Sequence, residues 1–190
     1  MISIETNAAA VVSKLAGVSQ RVVNKAFAHS ANGAIAQTRT FILKALTEAG
    51  IKRKYSASQI YATRATPDFL NASLRDKGKR IPLAAFSPRS AVVRTERGKR
   101  KGVSVLIGGV RELVPGGFLM TTKSGRVGIF QRIGKSRLPI KQVYFTNGIS
   151  SVYAGTSGLG ASAKAYAKET MARLFAHDLE HYREKEGLKK

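Results

Sequence analysis

Apolar residues recur at helical spacing at both ends of the chain and alternate with polar ones through its middle. From Ser19 to Ala49, Val23, Phe27, Ala31, Ala34, Thr38, Phe41, Ala45 and Leu46 follow three- and four-residue steps. Arg21, Lys25, Gln37 and Lys44 fall mostly off that stripe, so one long amphipathic helix is predicted, capped at Ser19 and closed at Gly50. Asn32-Gly33 is a place for it to kink or end. The Ala-rich stripe suits close packing against the protein's own sheet or a neighbouring subunit. A shorter helical stretch through Val11, Val12 and Leu15 precedes it, with Thr6 or Asn7 as cap. At the other end, Tyr166, Met171, Leu174, Phe175, Leu179 and Tyr182 mark a last helix capped by Ser162 and ended by Gly187.

Between these helices the period changes. Ile51 to Lys54 is a basic junction, and Ser56 or Ser58 begins a short helix holding Ile60 and Tyr61. Thr66-Pro67-Asp68 breaks the chain before an alternating strand, Phe69 to Arg75. Asp76 to Lys79 turns, and Arg80 to Phe86 is extended, with Pro82 suited to a sheet edge. Ala91 to Thr95 and Val103 to Ile107 are further strands, joined by a cationic loop from Glu96 to Gly102. Pro115-Gly116-Gly117 is a break, after which Phe118–Thr122, the turn Lys123-Ser124-Gly125 and a return strand from Val127 form a hairpin. Leu138-Pro139 opens another extended run, Ile140 to Phe145. A loose Gly/Ser connector follows through Gly160. Helices at each end with strands between them predict an α+β fold: a mainly antiparallel β-sheet or small sandwich packed against a long N-terminal helix and a C-terminal helix. Residues 1–190 are expected to form a single domain: a helical region at 1–50, a basic strand-rich core at 51–155, and a C-terminal helix with a short basic tail at 156–190.

Charge changes the picture. The 33 Lys and Arg outnumber 11 Asp and Glu, giving +22, and residues 50 to 142 hold most of the excess. Such a field draws nucleic acid, acidic proteins or anionic membranes. Arg94, Arg97, Lys99, Arg100 and Lys101 are the densest group and the candidate contacts to DNA or an acidic partner. No aromatic is interleaved there, so base stacking is not indicated. The terminal helices lack the strongly basic face opposite large apolar residues that a membrane-surface helix needs. No apolar run reaches the ~18 residues of a membrane span, and the N-terminus reads as no secretion signal.

Candidate chemistry is thin. With no cysteine, disulfides and thiolate metal sites are excluded. His177-Asp-Leu-Glu180-His181 matches the literal H-x-x-E-H pattern. Too few residues follow His181 for the further carboxylate ligand of such enzymes, and Phe175 and Leu179 already commit this helix to packing. His29 reads as a packed or surface histidine. Gly108-Gly109 and Gly158-Leu-Gly160 lack the contexts that cradle phosphates, and Gly155-Thr-Ser157-Gly158 is no nucleophile elbow. Asp68, Asp76, Glu96 and Glu112 are scattered among turns rather than clustered for metal ions. The expectation is therefore no enzyme, no catalytic residue, no metal and no cofactor.

The order Pro115-Gly116-Gly117-Phe118, Gly125-Arg126, Gln131-Arg132, Gly134, Arg137-Leu138-Pro139-Ile140 resembles the signature of the minor tail protein Z family of long-tailed phages. Upstream, Val22 to Leu46 is similar to that family's Ala-rich first helix, and Ile51 to Lys54 with Ile60 to Thr66 to its basic second segment. The resemblance implies a structural virion protein that completes the head-proximal end of the tail for joining to a DNA-filled head. It implies an oligomeric ring, six-fold as such tails generally are, among tail terminator, tail tube or head connector proteins and packaged DNA. It supplies no catalytic residues. Pro115, Gly116, Gly117, Phe118, Gly125, Arg132, Arg137 and Pro139 become candidate structural motif residues. From charge alone, a free cytoplasmic protein binding nucleic acid without sequence preference is the alternative.

Overall fold

The computed structural model describes residues 2–4, 19–95, 98–145, 149 and 158–185. The expected helix after Thr6, most of the Gly/Ser connector and the basic tail lie outside them. Among the described residues, three helices and nine short strands are arranged as an α+β fold with small antiparallel sheets. The chain divides into two compact units: residues 1–42, 60–77 and 158–190 in one, and 43–59 and 78–157 in the other.

The first unit is built on helix α1, Gln20–Glu48, whose residues through Ile42 belong to it. Val22, Val23, Ala26, Phe27, Ala31, Ala34 and Ile35 are buried along its stripe. The helix passes Asn32-Gly33 without ending. Asn32 is held outside the helix ladder instead: its side chain accepts from the Ala65 amide and donates to the Ala65 carbonyl, at 2.8 and 2.9 Å. Gly33 serves packing, because a Cβ there would stand 2.9 Å from Leu174 Cδ1 of the last helix, Leu159–Lys185. That helix starts before Ser162, after Gly158 at φ +81, with the Ser162 amide donating to the Gly158 carbonyl. We label it α3. Phe27 meets Phe175 edge-on and Phe41 stacks on Tyr166 at 4.9 Å, so the two helices share an aromatic seam. A sheet completes the unit, with β3 (Ala72–Asp76) between β1 (Ile2–Ile4) and β2 (Ile60–Thr63). One expectation is corrected here. The short helix, α2, is Arg53–Gln59, and Ile60-Tyr61 lie in β2; their β-branched and aromatic side chains suit that pairing. The N-terminal strand β1 carries no alternation long enough to be read from sequence.

The second unit opens where α1 ends. Gly50, at φ +95, sends its amide to Thr47, and Ile51 sends its amide back to Leu46, the paired bonds of a glycine-terminated helix. Buried Leu46 and Ile51 accompany that motif. Arg80–Phe86 is not a continuous strand. Pro82 makes a single bridge to Tyr144, and Leu83–Ala85 turn as a 3-10 helix. Leu83, Ala84, Ala85 and Phe86 are all buried, which an alternating strand at a sheet edge does not allow.

Two sheets follow. In the first, β5 (Gly98–Ile107) lies between β4 (Arg89–Thr95) and β6 (Val110–Pro115). Gly108 and Gly109, at φ +59 and +84, join Ile107 to its partner Val110 in a two-residue turn with both central angles positive. In the second, β8 (Val127–Arg132) lies between β7 (Gly117–Thr121) and β9 (Ile140–Gln142). After β9 the Val143 amide still donates to the Ile129 carbonyl of β8, and beyond it the Phe145 amide donates to the Ile81 carbonyl.

Candidate functional site

The cationic stretch is a strand rather than a loop. Pairing runs from Arg89↔Ser104 through Arg94↔Lys99 to Thr95↔Gly98, so Lys99, Arg100 and Lys101 belong to β5. The glycines at 98 and 102 and the run of charge suggest a turn, but ladder bonds are made by backbone and tolerate those side chains. Arg97, with Glu96, lies outside the described residues. In that register Arg94 is the partner of Lys99, Val93 of Arg100 and Val92 of Lys101.

This hairpin belongs to a unit with a lopsided charge. Residues 43–59 and 78–157 carry 19 Lys and Arg against only Glu48, Glu96 and Glu112. The other unit carries 14 against eight. The strand-rich unit therefore carries +16 of the net +22, and the other unit +6.

The motif residues gather around one hairpin. Pro115 ends β6, where a missing amide is tolerated. Gly116 takes φ +67. A Cβ on Gly117 would lie 3.0 Å from Val114 Cγ1 and 3.1 Å from the Val114 oxygen, so a larger residue there would have to push Val114 aside. Gly117 pairs with Gln131, whose side-chain amide donates to the Pro115 carbonyl at 3.0 Å. The Arg132 guanidinium stands over the Phe118 ring at 5.5 Å, and Phe130 lies 6.4 Å from that ring. Pro115, Gly116, Gly117, Phe118 and Arg132 are thus brought together at one end of the β7–β8 hairpin.

Gly125 is at its other end, at φ +74, donating its amide to the Thr122 carbonyl. Thr122 Oγ1 closes that turn by donating to the Arg126 carbonyl and accepting from its amide. Arg137 and Pro139 fall in the exposed loop between β8 and β9; the Leu138–Pro139 bond is cis, and the Ile133 amide donates to the Pro139 carbonyl at 3.2 Å. The motif thus sets the shape of two turns and a loop.

The three histidines of the chain meet elsewhere. His29 Nδ1 on α1 is 2.8 Å from Asp178 Oδ2 on α3, and His177 Nδ1 is 3.3 Å from Oδ1 of the same carboxylate. His29 and His181 both contact the Tyr182 ring. Asp178 is buried while His29 and His177 are exposed, so the carboxylate is a shared acceptor tying the two helices. Among the described residues no group of three or more His, Cys, Asp or Glu is placed to hold a metal ion. Sequence reasoning passed over Asp178; an acid on an apolar helix face beside a histidine was the available signal.

A model of the prophage minor tail protein Z (GPZ) family matches residues 6–182, most of the chain. The chain belongs to that family. No curated protein and no solved structure matches it. Membership makes it a phage minor tail protein, a structural component of the virion. No helix among the described residues is long and apolar enough to cross a membrane.

Proposed function

We propose that this minor tail protein Z family member acts in tail completion, at the head-proximal end of the tail, as a homo-oligomeric ring at the head–tail junction. Its strand-rich unit holds neighbouring macromolecules by charge and shape, and it catalyses no reaction. Terminator, tail tube or connector subunits and the packaged DNA are the candidate neighbours. The observation that carries this reading is the charge of residues 43–59 and 78–157: 19 cations and three acids within one compact unit. A field of that sign steers and holds polyanions without chemistry.

The test is reconstitution. Tails from a phage lacking this chain are incubated with the purified protein, sedimented, and mixed with DNA-filled heads. Association in a fixed copy number and restored joining are the expected results. Native mass spectrometry of the bound form gives the copy number, with six expected for a six-fold tail. A monomer that never sediments with tails, yet binds duplex DNA, favours a free nucleic-acid-binding protein instead.

A further inference from the structure

The loop between β8 and β9 combines features that neither its charge nor its motif role requires. Ile133 is 62% exposed and Leu138 is 66% exposed, both among the largest apolar exposures in the chain. They stand at the two ends of a segment that also carries exposed Lys135 and Arg137. Arg132 adjoins it, its guanidinium over the Phe118 ring. The loop is closed by the Ile133 amide on the Pro139 carbonyl, next to the Arg132↔Ile140 pair of the sheet. Its shape therefore rests on backbone bonds that do not use the Ile133 or Leu138 side chains.

We propose that this loop docks into an apolar pocket with an acidic rim on another tail or head protein, Ile133 and Leu138 being the anchors and Arg132, Lys135 and Arg137 the rim contacts. The proposal deepens the tail-completion reading and rests on it. Protein interfaces combine apolar anchors with charged rim contacts, and this loop presents exposed residues of both kinds within one short segment. A duplex presents phosphates, for which cations suffice and two solvent-facing aliphatic side chains add little. A second copy of this unit is a poor occupant, because with three acids it cannot supply the rim. A loop already closed by backbone hydrogen bonds loses little freedom on binding, which favours anchoring there over a floppy segment.

The experiment compares three readouts for the full chain: sedimentation with tails lacking it, anisotropy with a random-sequence duplex, and native mass spectrometry of the free protein. Ile133→Ser with Leu138→Ser is expected to weaken tail association by about tenfold or more while duplex affinity stays within about twofold. Lys135→Gln with Arg137→Gln is expected to weaken it less, with a larger effect at low salt. Circular dichroism establishes that each variant is folded. Unchanged tail association of the aliphatic variant overturns the proposal. So does a fall in duplex affinity with tail association intact, which makes the loop a DNA contact. Loss of a homo-oligomer without loss of tail association assigns the anchors to a second copy and also overturns it. If the wild-type chain itself fails to join tails, the tail-completion reading falls along with the proposal, a result distinct from failure of the loop alone.

Discussion

Gly128, the second residue of β8, offers the sharpest check on the packing of the motif hairpin. Its partner is Met120, and its own side-chain position is filled by Phe130. A Cβ at Gly128 would lie 2.6 Å from Phe130 Cε2, 3.1 Å from Cζ and 3.3 Å from Gln142 Nε2. Restoring ordinary contact moves the ring by about 0.8 Å, and Phe130 is 8% exposed, with the Phe118 ring 6.4 Å away between centroids. Overpacking of this kind costs about 1–3 kcal/mol. Alanine returns about 0.5–1 kcal/mol by restricting the unfolded chain. Taking the middle of each range, Gly128→Ala should therefore destabilise by about 1 kcal/mol, lowering the thermal midpoint by about 2–4 °C for a chain of this length. Calorimetry or circular dichroism reads the midpoint, and urea titration reads the free energy. Phe130→Leu removes the two clashing ring atoms, so the double variant should be more stable than the sum of the singles by about 1 kcal/mol. A neutral or stabilised Gly128→Ala, or strict additivity with Phe130→Leu, refutes the packing described.

Gly50→Ala should cost about 2 kcal/mol or more in urea titration, because φ +95 is left-handed and the new Cβ would lie 2.7 Å from the Leu106 carbonyl oxygen. Asp178→Ala should lower stability by about 1 kcal/mol, more than His177→Ala, since it removes the acceptor of both exposed imidazoles; thermal midpoints of the two variants compare them. Replacing Arg94, Lys99, Arg100 and Lys101 by Gln should flatten the dependence of log K on log salt for a random duplex. The slope should fall by up to about 3.6 if all four meet phosphates, and by nothing if the hairpin faces protein.

How far the sequence reached depends on which interactions decide each element. α1 and α3 were legible because a long apolar stripe and terminal glycines report helix directly, with Gly50 taking the conformation its position asked for. The β7–β8 hairpin was legible for a similar local reason, since Gly125 and the alternation around Ile129 fix the turn and the strand. The sequence misled where backbone pairing outweighed side-chain character. Lys99 to Lys101 read as loop from charge, yet their backbone pairs with β4 at Arg94, Val93 and Val92. Leu83 to Ala85 read as extended, yet burial of three consecutive residues needs a helical turn. The strand Val110–Pro115 was hidden because Gly108-Gly109 was weighed as a phosphate cradle and not as a hairpin turn. Asp178 shows a further limit: a buried acid between histidines from two helices is a tertiary fact, and only His177 is its neighbour in sequence.

The account turns on which surface of this protein meets its neighbours. Cryo-electron microscopy of tails carrying the chain measures that directly. The strand-rich unit, with its 19 cations, should lie against acidic protein surface or DNA, with the Ile133–Leu138 loop seated in a pocket. A particle in which that unit projects into solvent, while the chain is held through α3 alone, contradicts it.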